Sequence, residues 1–187
     1  MGFAIPTTVE ELRASWRNGP ADSFAQRFKG NVAKYQAQVI EPYERIGAHI
    51  RRLGVRIVPH LTLAGYSALF NDPKTHAVIL FSHWSGYFIE FRDEPASIEA
   101  LIQAVPEPHA RIVDLCVCQP SEELIMRLRA ARMQCQILFI DAKATPLLWL
   151  LFYRDLFRLL RSGTSRYLRT WSELKLAFFQ ELGGAKS

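Results

Sequence analysis

The chain is expected to fold as an α/β protein, a three-layer α/β/α sandwich around a mostly parallel sheet. Three observations predict it. The run Ala77-Val78-Ile79-Leu80-Phe81 is apolar without alternation, as in a strand covered on both faces. Two later runs, residues 111–117 and 136–140, share that character. Helical patterns separate the runs, so strand and helix alternate as they do around a parallel sheet. The 187 residues suffice for one domain with a sizeable core, and no part looks separable. Residues 1–187 are therefore read as one domain, with residues 1–53 an N-terminal helical segment packed on it.

Each element has its own signal. Residues 7–17 open with Thr7 or Thr8 as cap and Glu10 or Glu11 in the first turn, and Asn18-Gly19-Pro20 ends the helix. A second helix starts near Asp22. Phe24, Phe28, Val32, Tyr35 and Val39 form its stripe, which reads as core packing. Pro42 kinks or restarts it, and Ile46, Ile50 and Leu53 carry the seam to Gly54. A β-branched run reaches Val58, a short helix covers residues 64–70, and Asn71-Asp72-Pro73 turns the chain. Residues 76–82 form the strand that ends at His83. Gly86 allows a tight turn into residues 87–93, whose alternation suggests a short hairpin. A helix over 96–105 stops at Pro106 and Pro108. The strand over 111–117 then delivers Cys118, and Ser121 caps a helix running to about Met133. Residues 136–140 form a strand ending at Asp141. Pro146 begins an apolar helix that Ser162-Gly163 closes. A last helix, from Thr164 to about Leu182, carries Tyr167, Leu168, Trp171, Leu174 and Phe178.

Composition narrows the function classes. Apolar residues at 49% and charged residues at 22% exclude a disordered chain. The net charge of +5 is spread over several helices, without the basic block or Gly-rich phosphate loop of a specific nucleic-acid binder. The first residues lack the pattern of a signal peptide. The longest apolar run, from Pro146 to Tyr153, is far short of the ~20 residues of a membrane span. Three cysteines, two of them separated by one residue, do not suit a disulfide framework. A cytoplasmic protein is expected, with no cofactor.

The chemistry gathers at two strand ends. In open parallel sheets the ligand site lies beyond the carboxyl ends of the strands. Neighbouring strands ending at His83 and Cys118 would bring an imidazole and a thiol to one rim, the minimum equipment for cysteine nucleophilic catalysis. Cys118 also precedes a helix N-terminus, whose amides and dipole favour a thiolate. The alternative for His83 is a structural histidine at the sheet edge, and Cys116 reads as an inert core residue. Cys116 and Cys118, with His83 or Cys135, also suggest thiolate metal ligation. One residue between the cysteines is fewer than a closed site uses, so no metal is expected. Backbone amides of Trp84, Gly86 and Cys118 are the candidates to hold an oxyanion. No third residue is evident to orient the imidazole.

The order and spacing of these residues resemble a known family. His83 and Cys118 stand 35 residues apart, each closing an apolar strand. Asp141, Pro146 and the run WLLFYRDLFRLLRSGTSRYL follow. This looks like the caspase-like cysteine peptidases, closest to the bacterial CHAT-domain branch. The histidine motif matches Ser82-His83 and the cysteine motif Leu115 to Cys118. The closing element matches Phe152-Tyr153, Leu156, Gly163 and Ser165. The resemblance covers about residues 55–180. It implies a caspase-like fold, a Cys118–His83 dyad, a protein or peptide substrate and a role in bacterial defence or regulated death. The chain departs from the pattern at two places. The glycine after the histidine is Trp84, which keeps the N–H but brings a ring able to narrow or fill the cleft. The residue two before the nucleophile is Cys116. Asp141, near where this fold builds its S1 pocket, is a candidate to receive a basic P1 residue, with Glu90 as the second choice. The alternative for Asp141 is a turn or helix cap. The competing function is a catalytically inactive caspase-like module that binds a protein partner.

Overall fold

The structure, a computed structural model, describes residues 1–106, 111–161 and 166–183, the last four as backbone alone. The strands are β1 (Gly2–Phe3), β2 (Ala77–Phe81), β3 (Ile112–Cys116) and β4 (Gln136–Phe139). They form one all-parallel sheet in the order β1-β2-β3-β4. The helices are α1 (Val9–Asn18), α2 (Val32–Tyr35), α3 (Glu41–Arg52), α4 (Leu63–Ala68), α5 (Ile98–Ala104), α6 (Glu122–Ala131), α7 (Pro146–Arg161) and α8 (Tyr167–Gly183). The chain is thus an α/β protein, in two compact units. One comprises Met1–Gly30 and Val58–Asp141, the other Asn31–Ile57 and Ala142–Ser187.

The first unit holds the sheet. Its central pair, β2 and β3, runs in register from Ala77 opposite Ile112 to Phe81 opposite Cys116. Val78, Leu80, Val113 and Leu115 share a core with Tyr66, Leu101, Leu124 and Leu128 from α4, α5 and α6. The alternate residues Ile79, Phe81, Asp114 and Cys116 are buried as well. Both faces of the strands are therefore out of water, which accounts for an apolar run without alternation. Local signals set the helix starts. Thr8 and Glu11 form a reciprocal capping box at α1, and the Ser97 and Ser121 hydroxyls cap α5 and α6. β1 escapes the sequence reading because two residues show no periodicity. It is held by pairing with β2 and by stacking of Phe3 on Phe81, with ring centroids 4.7 Å apart. Val58 makes a single parallel bridge to Gly2 where a longer strand was expected.

The second unit is helical. α3 packs on α7, and α7 on α8. Trp149, Phe152 and Tyr153 of α7 meet the rings of Trp171, Phe178 and Phe179 of α8 or one another. Residues 36–40 form a π turn in which the Glu41 N–H reaches the Gln36 carbonyl five residues back. Pro42 follows at once, near the start of α3. A proline removes one helical donor and crowds the turn before it, and the wider turn makes room. The expected kink is realised as this insertion.

The N-terminal helical segment is divided at Gly30. A 3₁₀ turn over Ala25–Phe28 with Lys29 as its C-cap precedes it, and Gly30 adopts φ +79°, which favours glycine. The stripe from Phe24 to Val39 is therefore not one helix face. Residues 87–93 make single bridges, Trp84 with Ile89 and Ile89 with Ala96, instead of a hairpin. Ile89, Glu90 and Phe91 are all buried. Pro108, Ser162-Gly163, Thr164 and Ser165 lie outside the described residues. Among the described residues no helix is long and apolar enough to cross a membrane.

Burial ranks the substitutions. Leu115→Ala empties a fully buried site in β3 and is expected to cost about 3 kcal/mol. Tyr87→Ala removes a side chain that is 84% exposed and is expected to stay within about 0.5 kcal/mol. Urea unfolding of the two variants beside the parent checks both.

Candidate functional site

The β2–β3 ladder fixes where the two candidate residues stand. Its last register pair is Phe81 and Cys116, and the Ser82 amide continues it by donating to the Cys116 carbonyl at 3.2 Å. His83 and Cys118 each stand two residues beyond that pair, at the carboxyl ends of neighbouring parallel strands. Alternation sends residues 78 and 80, with 113, 115 and 117, into the core of the first unit. Carried two residues further, it puts His83 and Cys118 on the other side together. Asp141 stands two residues beyond β4, at the same end of the sheet, and is exposed. His83 and Cys118 thus share one side of this rim, while Asp141 stands at the same end of the sheet on the alternation of Ile137 and Phe139, which face the core.

Polar groups of the rim itself hold the turn after β2. The Ser82 hydroxyl donates to the Glu90 carbonyl at 2.5 Å, and the Glu90 amide donates to the His83 carbonyl at 3.0 Å. The Ser85 hydroxyl accepts from the amides of Tyr87 and Phe88, and Gly86 takes φ +105°. Trp84 pairs with Ile89 through the amides of Glu90 and Ser85, not through its own. Its side chain is buried in the core of the first unit, on the alternation opposite to His83. The ring that the family motif set against an open cleft is packed away inside.

Cys118 is half-buried, and Cys116 and Cys135 are buried. No disulfide joins the three. Gln119, immediately after Cys118, adopts φ +47° ahead of Pro120 and the Ser121 cap of α6. A non-glycine residue in this region is strained, and such strain gathers at functional sites. The strand therefore passes through the cysteine and a tight reversal straight into a helix N-terminus. Among the described residues no three His, Cys, Asp or Glu side chains converge as a metal site would require.

His83 is buried, with 4% of its surface exposed, and both ring nitrogens are engaged. Arg27 Nη2 donates to Nε2 at 3.1 Å. The Asp22 backbone carbonyl accepts from the ring, which leaves Nδ1 as the donor. The Phe24 ring lies 5.9 Å from the imidazole, centroid to centroid. Burial above all, and then the Arg27 charge, push the His83 pKa down to about 4. The ring is thus neutral over most of the pH range, with the Nε2 lone pair turned to a cation. Glu90 lies under the same segment, and its Oε2 accepts from the Phe24 amide at 3.0 Å. Burial pushes its pKa up to about 7, against the Phe24 amide and the charges of Arg92 and Arg27.

Sequence reasoning missed Asp22, Phe24 and Arg27, which it placed at the start of a long helix. The signal was there, because Gly19-Pro20 on one side and Gly30 on the other confine residues 21–29 to a short, separately held piece. The orienting partner that the sequence did not reveal is a backbone carbonyl, and a carbonyl has no residue signature.

The two shifted groups make opposite contributions to stability. The His83 pKa is lowered in the fold, so its contribution is full above about pH 6.5 and is lost as pH falls through 4. The Glu90 pKa is raised, so its contribution is full below about pH 4.5 and is lost as pH rises through 7. Each is worth about 2–3 kcal/mol, the lower figure applying to His83, where the exposed Arg27 admits solvent screening. Over the shared window the two nearly cancel. Relative to the parent, Glu90→Gln, which keeps an acceptor for Phe24, should make stability rise with pH between about 4.5 and 6.5. His83→Gln should make it fall by a similar amount. Urea unfolding across that window tests this, and three parallel profiles would remove both assignments.

No family model, no curated protein and no solved structure matches this chain.

Proposed function

We propose that the chain is a cysteine endopeptidase of caspase-like type, with Cys118 as nucleophile and His83 as its base. The observation that carries this reading is the register of β2 and β3, which brings the two residues to adjacent strand ends with the same alternation. The strained Gln119 beside Cys118 and the orienting carbonyl of Asp22 support it. Trp84 does not oppose it, because its ring is in the core.

In the reaction, His83 Nε2 takes the proton of the Cys118 thiol as sulfur bonds to the peptide carbonyl carbon. The amides of Trp84, Gly86 and Cys118 are the donors offered to the oxyanion. Collapse breaks the C–N bond, and the proton passes from His83 to the leaving amine. Water then attacks the thioester, giving its proton to His83, and the carboxylic acid leaves as the thiol is restored. The substrate is a protein or peptide, and the exposed Asp141, at the same end of the sheet, is the residue offered to a basic P1 side chain. The resemblance to the CHAT-domain branch further suggests a role in bacterial defence, in the cytoplasm.

A second reading is favoured by one observation. Nε2, the atom the mechanism needs, accepts from Arg27. A catalytically inactive module of the same fold, acting by binding a protein partner, would keep such a pair permanently.

Peptide acyloxymethyl ketones ending in Arg, Lys, Leu or Asp distinguish the two, read by intact mass. The peptidase adds one probe, at Cys118. Cys118→Ala abolishes the adduct, and His83→Ala slows its formation by about 100-fold or more. Probes ending in Arg or Lys should react fastest, and Asp141→Asn should remove that preference. Adducts spread over Cys116 and Cys135, or none on folded protein, would move the assignment to the inactive module.

A further inference from the structure

The piece of chain between Gly19-Pro20 and Gly30 is tied down on two sides. Towards α1, the Trp16 indole donates to the Ala25 carbonyl at 2.8 Å, and Gln26 Nε2 donates to the carbonyls of Ser15 and Trp16. Towards the sheet rim, the Phe24 amide donates to Glu90, the Phe24 ring lies against His83, and Arg27 reaches Nε2. The two polar contacts this piece makes with the imidazole, from Asp22 and Arg27, act in opposite directions. The Asp22 carbonyl fixes the tautomer that carries its lone pair on Nε2, which arms the ring as a base. Arg27 then donates to that lone pair and sets a positive charge beside it, which disfavours taking up a proton. Arg27 is exposed, unlike the buried ring it caps. Its side chain can swing into solvent while Phe24, Ala25 and Gln26 keep their anchors.

We infer that residues 22–28 form a strap that holds the site at rest, with the Arg27 side chain as the lock on His83 Nε2. The lock rests on the reading of His83 as the base for Cys118. Release requires the loss of one side-chain contact, with the tautomer kept by Asp22. The site is thus complete but shut, and the observation that favours an inactive module becomes the resting state of an enzyme.

Arg27→Met tests this, since it keeps the length and apolar stem of the side chain and removes the donors and the charge. Two quantities are read on the full chain. One is the His83 titration midpoint by NMR. The other is the rate of Cys118 labelling at pH 7 by the best peptide acyloxymethyl ketone. The expected result is a midpoint that rises above about 4 but stays below 6.5, because burial still lowers it, with labelling at least ~10-fold faster than in the parent. Adding His83→Ala to Arg27→Met should cancel the gain. Equal labelling of parent and Arg27→Met, lost in both on Cys118→Ala, overturns the lock and leaves the peptidase standing. Absence of labelling in both, with the midpoint shifted, overturns the peptidase reading and the lock with it. An unmoved midpoint overturns the lock directly.

Discussion

Everything at the rim depends on the hydrogen-bonded ladder between β2 and β3. Five residue pairs, from Ala77 with Ile112 to Phe81 with Cys116, set the level at which each strand stops. The ladder cannot slip cheaply. A shift of one residue would exchange the faces of a strand, so Leu80 and Leu115 would leave their core for positions shaped for Ile79 and Asp114. It would also carry His83 about 3.3 Å along its neighbour and turn it to the other side. Positioning of an imidazole and a thiol is thus a by-product of packing apolar side chains on two faces. The ladder by itself carries both residues to the same end of the sheet.

That placement has a consequence for the imidazole. A strand buried on both faces delivers its last residue into a nearly dry place, where a charged ring is costly. The structure answers with neutral chemistry: Nδ1 donates to a carbonyl and Nε2 accepts from Arg27. Ser82 and Glu90 solve the same problem for the backbone, each pairing with a carbonyl of the turn. Glu90 itself is left with a buried carboxyl whose pKa rises to about 7. The polar residues after β2 are therefore one connected answer to the desolvation that the strand imposes.

Legibility in the sequence follows the length scale of each signal. β2, β3 and β4 were evident because a run of about five apolar residues, bounded by turn signals, suits a strand buried on both faces. Ser121, and a threonine cap with a first-turn glutamate at α1, were evident because capping is local chemistry. The rim followed from two strand ends and one rule about parallel sheets. β1 was invisible, since Gly2 and Phe3 are strand only because β2 lies beside them. Arg27 was invisible for a related reason: its role is set by a residue 56 positions away, and in the sequence it is one basic residue among 23. Trp84 misled for the opposite reason. A family motif assigns a position but not a direction, and alternation along β2 sends that ring into the core.

The two anchors of residues 22–28 respond to protons in the same sense, although His83 and Glu90 oppose each other in global stability. When His83 is charged it faces the Arg27 cation with no lone pair to offer at Nε2, and the Asp22 carboxylate offsets that repulsion in part. When Glu90 is protonated it is a weaker acceptor for the Phe24 amide than the carboxylate is. Acid therefore loosens the segment at both points. Above pH 7 His83 is neutral and accepts from Arg27, while Glu90, flanked by Arg92 and Arg27, is ionised and accepts more strongly from Phe24. Both anchors then tighten together. The cancellation that leaves global stability nearly flat in pH does not extend to the segment, because stability counts the sum of two proton affinities. The segment feels instead which form of each group makes its bond, and for both groups that is the deprotonated one.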